Sequence, residues 1–329
     1  METGRIGFRF RGFGMLLGAV LALAAAGPAA AQTDFPGKRP ILMTVLFPTG
    51  TSADITARML AEGMSRHLNT NIVVVNRPGG GGAVGLKYAA AQTPDGYNMV
   101  WSSNAISTTY HTGALAFDYR AFEPVARALV ETPLLVVRAD TPWKSLKDFV
   151  AEAKRAPGKL TVGNSGTGSH THFSSVALFK AAGAEVLDVP FAAAQVVPSL
   201  LGGHVNAVVQ LPGALAGHIK AGTVRVLAAL SARRDPSFPG VATATEQGVN
   251  VAAELWRGIA VPKGTPRAAA ARLEAAIRAT VEGAEFRASA ERLFVTPAYL
   301  PARAFGEVIA AEDADIARML QALGLKKSP

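Results

Sequence analysis

What most limits this chain is the way its hydrophobic pattern changes period along its length. Short apolar runs alternate with stretches spaced for a helix: 41–47, 72–75 and 99–102 read as strands, and 53–68 and 84–91 as helices. A second series follows, with strands at 134–137, 160–162, 186–189 and 205–209 and helices at 145–154, 169–182 and 197–201. Strands separated by helices predict parallel pairing, because a strand returns beside its predecessor in the same direction only over a crossover. Each series is therefore expected to form one α/β unit, a mainly parallel sheet flanked by helices. Two more strands, 224–230 and 255–261, and two amphipathic helices, 266–281 and 302–323, close the chain.

Composition supports a packed protein. With 49% hydrophobic and 17% charged residues, 33 Gly and 20 Pro, the chain has the material for a sizeable core and many turns and is not a disordered sequence. Residues 1–31 read as a cleaved export signal: Arg5, Arg9 and Arg11 precede an apolar run at 15–26, and small Ala29 and Ala31 stand before Gln32. The run is too short to span a bilayer. The mature protein is expected to begin near Gln32 and to be soluble and periplasmic. With no cysteine, a disulfide framework, a thiolate metal site and a lipid anchor on cysteine are all excluded. Losing three arginines and Glu2 with the signal lowers the formal charge of +9 by two. The remaining Lys and Arg are scattered, so no nucleic-acid partner is expected, only mild attraction for anions.

Two loops rich in glycine and hydroxyls each follow a strand and open a helix, one in each half. The first is Thr49, Gly50, Thr51, Ser52, Ala53 and Asp54; the second runs from Gly163 through Ser165, Thr167 and Gly168 to Ser169. At such a junction free backbone N–H groups and the positive helix end can hold an anion without a lysine or arginine. The competing reading is that Ser52 and Ser169 cap their helices and the glycines make turns. Asp54, in a first helical turn, fits a structural role. The second loop also departs by one residue from a hydrolase elbow, since Thr167 stands where glycine is wanted. His170, His172, His204 and His218 keep a serine hydrolase open as an alternative. Gly80, Gly82 and Gly85 match a dinucleotide fingerprint, but Arg77-Pro78 separates them from their strand, and a turn facing a cleft is expected instead. His170 and His172 point to opposite sides of a helix, so no shared metal is expected. Ser102, Asn104, Phe191 and Gln210, at or beyond strand ends, complete the expected ligand contacts, and Trp256 is the aromatic residue expected at the cleft.

The segments FPTGTSADITAR (47–58), NRPGGGGAVG (76–85), PDGY (94–97), GNSGTGSHTHF (163–173), LLGGHV (200–205), HIKAG (218–222) and VPKGTP (261–266) together resemble the Bug-type periplasmic substrate-binding family of tripartite tricarboxylate transporters. The resemblance covers essentially the whole mature chain. It implies a two-lobed, type II binding-protein fold hinged on two crossing strands, here lobe 1 at 32–131 and 250–329 and lobe 2 at 132–249. It further implies a non-catalytic, monomeric receptor without cofactor. Its ligand would be a small organic carboxylate held by backbone N–H groups, hydroxyls and water, and handed to membrane permease subunits. A sensing role for a membrane regulator fits the same residues. The implied contacts are Thr49, Thr51, Ser52 and Ala53 in one lobe and Ser165, Thr167, Gly168 and Ser169 in the other. The chain departs from the family pattern at Phe191-Ala192-Ala193 and at Val209-Gln210, which points to a more apolar pocket.

Overall fold

The computed structural model describes residues 1–4, 35–236 and 238–327. The expected signal segment beyond residue 4 therefore lies outside the described residues. In chain order the elements are β1 (Ile41–Val45), α1 (Ser52–Leu68), β2 (Ile72–Asn76), α2 (Ala83–Ala90), β3 (Asn98–Ser103), α3 (Ala105–His111), β4 (Phe122–Glu131), β5 (Leu134–Arg138), α4 (Leu146–Arg155), β6 (Thr161–Asn164) and α5 (His170–Ala182). They continue with β7 (Leu187–Pro190), α6 (Val196–Leu201), β8 (Ala207–Gln210), α7 (Pro212–Lys220), β9 (Val224–Ala229), β10 (Leu255–Pro262), α8 (Arg267–Val281), α9 (Ala284–Leu293), β11 (Thr296–Pro301) and α10 (Ala302–Ala322).

The strands form two sheets, of order β11-β4-β10-β3-β1-β2 and β7-β6-β8-β5-β9. The periodicity predicts parallel pairing, and β1 does pair parallel with β2 and β3, as β6 does with β7 and β8. The remaining pairs are antiparallel, so both sheets are mixed. The cause is the crossing: β4 leaves the first sheet, β5 starts the second two residues later, and β10 returns to pair between β3 and β4.

Helices cover both faces of each sheet. In the first, the alternate residues Ile41, Met43 and Val45 pack under α1 and α8, while Leu46 and Val100 pack with α2, α3 and α10 on the other face. Burial on both faces is why these strands read as continuous apolar runs. The second sheet has its own two cores, one around Phe149 and Leu178 and the other around Leu200 and Leu215. β4, β11, α3, α7 and α9 have no counterpart in the sequence reading. In β4 the alternation is broken by Pro124, which sits beside a register shift against β10 where a missing N–H costs least. The last helix also reaches across: Ile316 and Leu320 of α10 pack on Phe173 of α5, and the Lys180 ammonium donates to the Ala322 carbonyl at 2.6 Å.

Candidate functional site

The ends of the strands β1, β3, β6 and β8 all open toward one cavity between the two sheets. Its volume is about 390 Å³, part of it open to solvent. In open α/β sheets this carboxyl edge is where ligands lie. α1 and α5 both start at the wall. Ser52 and Ala53 come from the first turn of one, and Ser169, His170 and Thr171 from the other. Thr51 caps α1 by accepting from the Asp54 N–H at 3.4 Å, and Ser169 caps α5 by accepting from the His172 N–H at 3.2 Å.

The floor is an ion pair. Glu131, the last residue of β4, is fully buried and accepts hydrogen bonds from Arg257 Nε and from the Ser52 hydroxyl. Arg257 is 1% exposed, and its Nη1 is buried with no partner although the residue lines the cavity. A buried donor of this kind has lost its water and gained nothing. Because Ser52 is the first helical residue rather than the cap, its hydroxyl is free to orient Glu131, and Glu131 in turn orients the guanidinium.

The two halves touch through bare backbone. A Cβ added at Gly213, at the start of α7, would lie 2.4 Å from Ser52 Oγ. One added at Gly81 would lie 2.9 Å from the Gly168 carbonyl oxygen. The glycine-rich turn after β2 thus faces the cleft, and the dinucleotide fingerprint is a lobe contact.

Of the expected contacts, the structure brings Thr51, Ser52, Ala53, Ser165, Ser169, His170 and Gln210 to the cavity. Thr49 and Gly50 are exposed; the Thr49 hydroxyl donates to Asn76 Oδ1 and the Gly50 N–H to Asp54. Asp54 is structural. Burial opposes its ionisation, but Arg58, the Gly50 N–H and Asn76 outweigh burial and hold the carboxyl below its ordinary value. Thr167 is exposed, Gly168 meets Gly81, and Phe191 packs over Gly163 in the second core, leaving Ala193 at the wall. Asn104 lines a different cavity beside Glu254 and Glu312.

Two further expectations miss by one residue. Ser102 and Trp256 face a cavity on the far side of the first sheet, where Trp256 packs edge-on against Phe305. Their neighbours Ser103 and Arg257, directly paired across β3 and β10, face the cleft. Successive side chains alternate faces. Arg257 is the residue the sequence reading overlooked, and it places a cation at the wall beside the expected N–H groups.

The imidazole of His170 is wedged between the cavity and the crossing segment, with Nε2 2.7 Å from the Ala253 carbonyl. Burial pushes its pKa down to about 4; the Ala253 carbonyl opposes the shift and Arg257 adds to it. His170 is therefore neutral at pH 7, with Nε2 as the donor. His172 accepts from the Gly168 N–H at 3.4 Å. The Ser165 hydroxyl accepts from Gln210 Nε2 at 3.2 Å and contacts no imidazole. The nucleophile–base pair expected of a hydrolase at Ser165 is therefore not formed there.

Residues 56–325 match the family model described as the tripartite tricarboxylate transporter family receptor. Protein BugT of Bordetella pertussis is 33% identical over 246 residues, covering 73% of this chain and 75% of that protein. A TctC solute binding protein from Polaromonas, solved with no ligand, is 32% identical over 88% of this chain and 99% of its own, with a TM-score of 0.67. The R. palustris protein Rpa4515, solved with adipate, is 25% identical over 88% of this chain and 99% of its own, with a TM-score of 0.84.

Proposed function

We propose, from the premise that this chain belongs to the tripartite tricarboxylate transporter receptor family, that it is a periplasmic receptor for a small organic carboxylate, which it passes to membrane permease subunits. The observation that carries the carboxylate reading is the buried, unpartnered Nη1 of Arg257, set between the N-termini of α1 and α5. A carboxylate supplies what this donor lacks. Hydrogen bonds to charged groups contribute roughly 1.5–3 kcal/mol each, so Arg257 and two or three N–H groups suffice for about micromolar affinity, near −8 kcal/mol.

The reading assigns one lobe to residues 32–131 and 250–329 and the other to 132–249, with a monomer as the functional unit and cleavage near Ala31. The adipate-bearing relative superposes better than the ligand-free one despite its lower identity. A rotation of lobes gives that order, and divergence does not.

Thermal-shift measurements with a panel of carboxylic acids and their primary amides test this directly, since a ligand that binds only the folded state raises Tm. At least one acid is expected to raise Tm while its amide does not. Equal shifts from acid and amide, or none from any acid, would remove the carboxylate reading.

A further inference from the structure

The charges around the cavity narrow the ligand further, on the footing that the site is a carboxylate receptor. Its one side-chain cation, Arg257, is already matched by Glu131, whose two oxygens are both occupied by Arg257 and Ser52. Most hydroxyls at the wall are engaged as well, the exception being Ser103, whose Oγ accepts from the Ala105 N–H and donates to no side chain or carbonyl among the described residues. Thr51 donates to the Pro48 carbonyl at 2.7 Å, Ser165 meets Gln210, and Ser169 meets Thr171 at 3.2 Å. His170 adds no charge at neutral pH.

What remains for an anion is Arg257 Nη1, the Ser103 hydroxyl and the first-turn N–H groups of α1 and α5, helices of 17 and 13 residues. Two helix ends at about +0.5 each amount to about one positive charge. α7 also starts at the wall, but Pro212 has no N–H and Gly213 is covered by Ser52. The Ala105 N–H that opens α3 donates to Ser103 Oγ at 3.3 Å. The other wall residues, Phe47, Ala53, Ala105, Ala193, Leu211 and Leu255, are apolar.

We infer that the ligand is a monocarboxylate with a compact apolar body, and that Glu131 is the specificity-determining residue that turns away dicarboxylates. A dianion would bring a second charge into a cleft whose lining residues hold no second cation for it, and an unmatched buried charge is strongly disfavoured. A monoanion leaves the apolar wall to an alkyl or aryl group.

Calorimetry at pH 7 with hexanoate against adipate and benzoate against terephthalate tests the inference on the wild-type protein. The monoacid should bind at least ten times tighter than its matched diacid in at least one pair. Glu131→Gln, which deletes the counter-charge, should shrink that ratio at least tenfold. A diacid binding as tightly as its monoacid in both pairs, or a ratio that Glu131→Gln leaves unmoved, would overturn the inference while leaving a carboxylate receptor in place. If none of the four acids bound, the carboxylate reading would fall with it.

Discussion

At the scale of single residues, the contact between the two halves depends on side chains that are missing. Gly213 lies inside α7, so alanine costs its own helix nothing and raises its propensity. The added methyl would nevertheless meet Ser52, whose hydroxyl is anchored on Glu131. Gly213→Ala is therefore expected to weaken ligand binding by at least tenfold while leaving unliganded stability unchanged or slightly higher. Calorimetry and thermal melts on the same preparation check both halves, and unchanged affinity would mean that the helix ends do not need to meet. The same scale explains what was legible in the sequence. The hydroxyl loops announced themselves because glycine and serine cluster where a strand turns into a helix. Arg257 did not, since it sits in a strand buried throughout and was read as part of an apolar run around Trp256. The signal was present nonetheless. Arg257 is the single charge inside an otherwise apolar strand, and a charge so placed is rarely buried without a partner.

At the scale of elements, α10 serves both halves: Phe305 and Ile309 pack in the first core, and Ile316 and Leu320 meet α5. Between them Glu312 faces a cavity that also holds Glu254 and Asn104. Burial pushes its pKa up to about 7, with Trp256 and Arg127 opposing and Asp315 and Glu254 reinforcing. A carboxyl raised in the fold contributes stability that is complete below about pH 4.5 and is lost as pH rises through about 7. Glu312→Gln cannot ionise. It should match the wild type near pH 4.5 and exceed it above pH 7 by up to about 3 kcal/mol. Denaturant melts from pH 4.5 to 8 measure this difference, in which the opposite contribution of His170 cancels; a difference that does not vary with pH would refute it. Elements with clean periodicity, such as α1 and β1, were read to within a residue or two at most ends. β4 and β11 were not, because each carries proline and irregular pairing, and α3 and α7 are too short or too apolar to show one clear face; α9 does show one, through Phe286 and Ala290, and was passed over.

At the scale of the whole molecule, the halves are held by the floor of the cavity, by α10, and by a second tether in which the Lys220 ammonium donates to the Arg292 carbonyl at 2.9 Å. A ligand that engages Arg257 and both helix ends stabilises only the arrangement in which they meet. Small-angle scattering should show the radius of gyration falling when a ligand saturates the wild-type protein. No change with any saturating ligand would mean that the cleft does not open and close. The crossing connections have one more consequence, which concerns order in time. Every strand of the second sheet lies between residues 134 and 229, whereas the first sheet must wait for β10, which pairs with strands that end at residues 103 and 131. In a chain that emerges from its N-terminus into the compartment where it folds, the second sheet can zip up while the first still lacks its middle strand. The half that begins the polypeptide is thus the last to become solid.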